Sequence, residues 1–292
     1  MRFAEIFSTR RRPVISFEVF PPKTDAALES FRAVLPRLTD LRPDFMTVTY
    51  GAFGSTQART LEIAKMIKRE RGLEAACHLT CVGSTRADLA RILGEIGDAS
   101  IENIVALRGD PPQGQADFVP PEGGFRNAWQ LVELVRSSGR FGVAVAGYPE
   151  KHIQAPDFET DLAHLRNKVA CGADIVITQL FYDNRHYWRL VERARALGVA
   201  VPIVPGLLPI ISLNQVKRIT SMCGSTIPPD LLARLESAGP DEDAALEVGV
   251  RQAVDQARGL IEGGAPGIHF YVLNKDRHMA RIMKELRPVL DR

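Results

Sequence analysis

Cysteine is scarce: four thiols in 292 residues do not make a disulfide framework, and Cys77 and Cys81 fall inside an apolar, strand-like run. All four read as reduced, and no metal-ligand spacing emerges. Long hydrophobic runs are also missing. The longest, VPIVPGLLPII at 201–211, is broken by three prolines and falls short of the ~20 residues a membrane helix needs. The N-terminus carries no apolar signal core, so the expectation is a cytoplasmic protein. Formal net charge is +2 with no block of five like charges, which advertises neither nucleic acid nor an anionic membrane as partner. Arg10-Arg11-Arg12 reads as a solvated patch. No G-x-G-x-x-G follows a strand and no G-x-x-x-x-G-K-[ST] occurs, so the usual dinucleotide and phosphate fingerprints are absent.

What is present is an alternation. Eight short apolar runs, at 14–19, 45–50, 76–82, 104–108, 142–148, 174–181, 202–207 and 267–273, are separated by amphipathic segments with apolar residues three or four apart. Thr85-x-x-Asp88 supplies a capping-box start for one of them. Eight strand-helix repeats without a Gly-, Ser- or Pro-rich linker predict a single α/β domain over 1–292, a closed (β/α)8 TIM barrel. The long connection at 212–266 has room for extra helices before the last strand. A doubly wound open sheet fits the same alternation.

Within VISFEVFPP (14–22) the residue out of place is Glu18. A carboxylate in an apolar strand is costly unless paired, and desolvation is expected to raise its pKa into the range of a general acid. The structural alternative is a pair with a barrel arginine, Arg108 being the candidate. Strand parity with Glu18 inward places Ser16 and Phe20, Thr47 and Thr49, His78 and Thr80, Arg108 and Asp110, Gln179, and His269 and Tyr271 on one face. That grouping predicts a polar cavity at the C-terminal mouth.

Other strand ends carry groups of the same kind. Arg108-Gly109-Asp110 precedes Pro111 and Pro112, which puts two charged side chains at the mouth or on a plain surface turn. Tyr148 and His152 close the fifth strand, where they suit a flat ligand or a barrel rim. Gln179, with a donor and an acceptor, suits the edge of a heterocycle such as a pterin. Asp161 and Lys168 share a helical face, within reach of a phosphate-bearing tail or simply solvated. No Ser-His-Asp set is visible, and only Lys23 and Lys275 lie near strand ends as candidates for a Schiff base. A set that positions a flat ligand and supplies one proton fits chemistry done by a bound organic cofactor.

Taken together, SFEVFPPK (16–23), VTYGA (48–52), HLTC (78–81), IVALRGDPP (104–112), AGYPEKH (146–152), ITQLFYD (177–183), PGLLPI (205–210) and HFYVLN (269–274) closely resemble the methylenetetrahydrofolate reductases, in order and along nearly the whole chain. The resemblance is to the short bacterial form, without a C-terminal regulatory domain. It implies a barrel that holds FAD without a Rossmann fold. It also implies reduction of 5,10-methylenetetrahydrofolate to 5-methyltetrahydrofolate by ping-pong hydride transfer from NADH or NADPH through the flavin.

Carried over by position, Glu18 matches the general acid that opens the imidazolidine ring, and Asp110 a carboxylate near flavin and pterin. Both also count as substrate contacts, with Gln179, Gln215 and Lys275. For FAD the matching positions are Thr49, Tyr50, Ala52, His78, Arg108, Gly109, Asp110, Ala128, Tyr148, His152, Ala155, Asp161 and Lys168. Asn127, Asn167, Ile219 and Lys275 depart from the residues common in the family. Family habit implies a homodimer or homotetramer. The rival functions are a cofactor-free barrel lyase or aldolase and a non-catalytic folate-binding protein.

Overall fold

In the computed structural model, which describes residues 1–50, 57–110 and 119–291, the apolar runs become parallel strands. They are β1 Val14–Val19, β2 Phe45–Val48, β3 Glu74–Thr80, β4 Asn103–Leu107, β5 Gly142–Gly147, β6 Ile175–Thr178, β7 Ile203–Val204, β8 Gly206–Leu207 and β9 Gly267–Tyr271. Helices α1 Phe3–Thr9, α2 Asp25–Thr39, α3 Gln57–Lys65, α4 Arg86–Asp98, α5 Ala128–Ser137, α6 Phe158–Ala170 and α7 Asn184–Ala196 lie before or between them. The long last connection holds α8 Leu213–Cys223, α9 Pro229–Ser237 and α10 Glu242–Glu262, and α11 Arg277–Leu290 follows β9. Thr85 caps α4 through the Asp88 capping box, as its spacing predicts. Among the described residues no helix is long and apolar enough to cross a membrane.

The ladder runs β7-β6-β5-β4-β3-β2-β1-β9-β8, a nearly closed TIM barrel. The run at 202–207, expected as one strand, is two short pieces. Pro205 has no N–H to give to a ladder, so β7 pairs with β6 and β8 with β9, and the chain itself bridges the seam. Gly206 permits the bridge: a Cβ there would sit 2.1 Å from the Thr178 carbonyl oxygen and 2.8 Å from the Tyr271 ring.

Parity sorts the side chains into two cores. Phe17, Val19, Ile104, Ala106, Val143 and Val145 face the helices in the larger one. Val14, Phe45, Ala76, Val105, Ala144 and Ile175 point inward and form an apolar floor at the N-terminal end. Phe3 and Ile6 of α1, 0% and 2% exposed, seal that floor from below. This plugging helix is absent from the expected element list. Arg10 and Arg12 also differ from the solvated patch expected of them: both reach Asp44, whose side chain is 1% exposed, at 3.0 and 2.9 Å. Asp44 in turn accepts the Ile15 amide and ties the N-terminal segment to β1.

Candidate active site

Above the apolar floor the inward residues turn polar, and the register explains which of them meet. Ser16 lies opposite His269 in the β1–β9 ladder, and Glu18 lies opposite Thr47 in β2 and Tyr271 in β9. His269, fully buried, places Nδ1 2.8 Å from Ser16 Oγ and Nε2 3.3 Å from Glu18 Oε2. Thr47 Oγ1 donates to the same oxygen over 3.3 Å. His78 Nε2 lies 3.1 Å from it, close enough for an ion pair but not aligned for a hydrogen bond. All these contacts go to Oε2. Oε1 has no partner among the described residues, and 17% of the side chain is exposed to the cavity.

This cluster corrects two expectations. Burial pushes the Glu18 pKa up, as the apolar strand suggests. The nearby His78 imidazole and the hydrogen bond from His269 outweigh that, and the carboxyl is held well below the usual carboxylate range. Nor is its partner an arginine: the Arg108 guanidinium reaches Gln154 and the Gly109 carbonyl instead.

Glu18 stands in a cavity of about 530 Å³ at the C-terminal mouth. Thr49, His78, Gln179 and Tyr271 line it near Glu18, and Tyr271 donates its hydroxyl to the Thr178 carbonyl over 2.6 Å. Arg108, Gly109 and Asp110 line it too, as expected, though not through strand alternation. Positions 108 and 110 continue the helix-facing series of Ile104 and Ala106, but the strand stops at Leu107 and Gly109, with φ at 88°, redirects the chain over the mouth. A Cβ on Gly109 would lie 3.0 Å from Val82, so the close approach excludes a side chain.

A second arm of the cavity is walled by Ala128 at the start of α5, by Tyr148, His152 and Ala155 after β5, and by Asp161 and Lys168 on α6. Asp161 and Lys168 are 7% and 8% exposed, which rules out the solvated face. Asp161 accepts the His152 amide at 3.0 Å, and Tyr148 meets His152 edge to face with centroids 4.7 Å apart. Burial lowers the Lys168 pKa to about 8, against the pull of Asp161. Its Nζ donates to the Ala146 carbonyl, and among the described residues no carboxylate lies within the 4.0 Å of an ion pair.

A methylenetetrahydrofolate reductase family model matches residues 2–287. The chain belongs to that family. Among its relatives, the 5,10-methylenetetrahydrofolate reductase of Escherichia coli K12 is 38% identical over 261 residues, 89% of this chain and 86% of that protein. Methylenetetrahydrofolate reductase (NADH) 1 of Arabidopsis thaliana is 38% identical over 282 residues, 93% of this chain but 48% of its own length. The chain thus spans about half the length of the plant relatives it matches. Among solved structures, a Clostridium thermocellum protein described as binding two copies of 5-methyl-5,6,7,8-tetrahydrofolic acid superposes with a TM-score of 0.64 at 14% identity, covering 100% of this chain and 98% of that one. Dihydropteroate synthase from Xanthomonas albilineans follows at 0.53 and 13%, covering 96% and 93%. Both likenesses are of fold.

Three described family positions stand apart from the cavity. Tyr50 faces a small recess with Gln57, Thr60 and Glu95. Gln215 accepts the Ile211 amide near the start of α8, leaving its buried amide nitrogen unpaired. Lys275 is exposed beyond β9. Ala52 lies outside the described residues, as do Pro111 and Pro112. Conversely, Trp129, His164 and Leu273 line the cavity without having been singled out. His269 and Tyr271 were visible by parity, but nothing in the pattern alone assigned them a partner.

Proposed function

We propose that this chain reduces 5,10-methylenetetrahydrofolate to 5-methyltetrahydrofolate, with FAD as resident cofactor and NADH or NADPH as electron donor. The observation that carries the reading is Glu18: one carboxylate with an oxygen that meets no described residue, at the inner end of a mouth cavity in a chain whose family match spans nearly its whole length.

The residues fit the cofactor. The arm beside α5 and α6 holds Arg108, and a buried Lys168 that has no carboxylate within ion-pair distance among the described residues, a setting that favours an anionic diphosphate. Bound FAD would supply the capacity to accept a hydride from the nicotinamide and return it to the folate.

The chain's own groups do the rest. Gln179 accepts the Leu180 amide at Oε1, and its amide nitrogen is left to donate to the pterin edge. Asp110 at the mouth stabilises the iminium cation formed when the imidazolidine ring opens. Glu18 Oε1 delivers the proton to the folate nitrogen as its bond to the methylene carbon breaks. Ligand binding expels the remaining water from Glu18 and favours its neutral form. One proton and one hydride are consumed per turnover.

Lys23 and Lys275 are exposed and do not line the cavity, so the aldolase alternative lacks the nucleophile assigned to it. The test is Glu18→Gln with the half-reactions followed separately. Flavin reduction by the nicotinamide stays near normal, while folate reduction falls by ~10²-fold or more. Equal losses in both would make Glu18 a structural residue.

A further inference from the structure

Strand β1 ends at Val19, one residue beyond its acid. In the β1–β9 ladder Glu18 is the last paired residue, opposite Tyr271, and the Val272 amide donates to the Glu18 carbonyl over 3.2 Å. A parallel ladder would next run from the Phe20 amide to the Val272 carbonyl. That carbonyl is taken, because it accepts the Lys275 amide over 3.0 Å. Pro21 and Pro22 have no N–H with which to continue. Backbone alone would leave the acid at the fraying end of its strand.

Asn274 fills the gap with its side chain. Its Oδ1 accepts the Phe20 amide over 3.0 Å and its Nδ2 donates to the Phe20 carbonyl over 2.8 Å, so one carboxamide meets both polar groups of Phe20 as a neighbouring strand would. Reaching back to β1 strains the chain. Leu273 and Asn274, the central residues of the turn from Val272 to Lys275, have φ of 50° and 54°, left-handed values that Asn tolerates and Leu rarely adopts. Strain of that kind persists only where the surroundings impose it, and here it stands at the mouth, where Phe20 and Leu273 line the cavity with Glu18.

Resting on the folate-reducing reading above, we infer that Asn274 is a positioning residue for Glu18. Its carboxamide adds one rung to the β1–β9 ladder beyond the acid and holds the Glu18 backbone in place while the proton passes to the folate nitrogen. The nicotinamide step takes no proton from Glu18 and does not depend on the rung.

The test compares Asn274→Ala with Asn274→Gly, which removes the same carboxamide but relieves the left-handed φ. In both, kcat for folate reduction falls roughly tenfold, part of what a well-placed general acid supplies, while KM for the folate and flavin reduction by NADH change less than about twofold. In the flavin-free unaltered chain the Phe20 and Val272 amides are protected from hydrogen exchange, and both variants lose that protection. Thermal melting shows whether the variants fold. An unprotected Phe20 amide in the unaltered chain, or an unchanged kcat in a folded Asn274→Gly, overturns the inference. So does a raised KM alone, which would make Asn274 a rim contact, and so do equal losses in both half-reactions, which would make it structural. Failure of the unaltered chain to reduce folate would instead overturn the functional reading beneath it, while the exchange rates still decide whether the rung holds β1.

Discussion

His269 is clamped between Ser16 and Glu18: Nδ1 meets the serine hydroxyl at 2.8 Å, and Nε2 faces Glu18 Oε2 at 3.3 Å. The clamp follows from register, since Ser16 and His269 are direct neighbours across the β1–β9 ladder. With one nitrogen engaged by a buried hydroxyl, the other can point only at the carboxylate. Oε2 is thereby committed to the protein, while Oε1 meets no described residue.

His269→Gln keeps approximate volume but removes the imidazole contact to Oε2 and lets Glu18 swing. Folate reduction is expected to slow by roughly 10²-fold, the cost of a misplaced acid, with its pH profile displaced. Reduction of the flavin by NADH should be unaffected. Stopped-flow measurement of the two half-reactions from pH 5 to 9 decides it. An unchanged profile would count against the clamp.

Lys168 gives a pH signature to cofactor binding. Free of ligand it titrates at about 8. A bound diphosphate favours its charged form, so binding takes up a proton above that pH and affinity falls as pH rises from about 8 towards the ordinary lysine value. Isothermal titration in buffers of different ionisation enthalpy reads the proton directly. Lys168→Met should abolish the uptake and weaken FAD binding. It should also stabilise the flavin-free chain by about 1–2 kcal/mol, because the cost of burying the cation disappears.

His278, 3% exposed on α11, is held neutral: burial, then nearby Lys275, lower its pKa to about 4 despite Asp276. Its unfolded form binds a proton below the usual 6.5, so folding stability is lost as pH falls from there to about 4. The contribution is about 3 kcal/mol at the acid end. Urea unfolding at pH 7 and pH 4.5 should show a smaller difference for His278→Gln than for the unaltered chain.

Gly206→Ala tests the seam. The added methyl would stand 2.1 Å from the Thr178 carbonyl oxygen and 2.8 Å from the Tyr271 ring, and the backbone carbonyl has little room to yield. A loss of about 3 kcal/mol or more in chemical denaturation is expected. A loss below about 1 kcal/mol would mean the barrel opens there at little cost.

How far the sequence carries can be read from these same residues. Runs such as Val14–Val19 and Gly142–Gly147 appear as strands because their apolar pattern and the prolines or glycines around them leave few alternatives. Parity placed Glu18, Thr47, His78 and His269 together because side-chain alternation survives any detail of packing. Arg108 and Asp110 reach the same cavity for another reason, because the strand has ended at Leu107 and the chain turns over the mouth. The Glu18 pKa was misjudged since desolvation is legible from neighbours in sequence, whereas two imidazoles arriving from β3 and β9 are not. Trp129 and His164 stack across separate helices and left no periodic trace. For Gln215 and Lys275, position in a motif did not translate into a place on the cavity wall.

Phe3 and Ile6 close the barrel from beneath, so traffic through the chamber has to use the opposite end. A vessel with a stopped base makes every molecule that settles beside Glu18 come and go by one mouth.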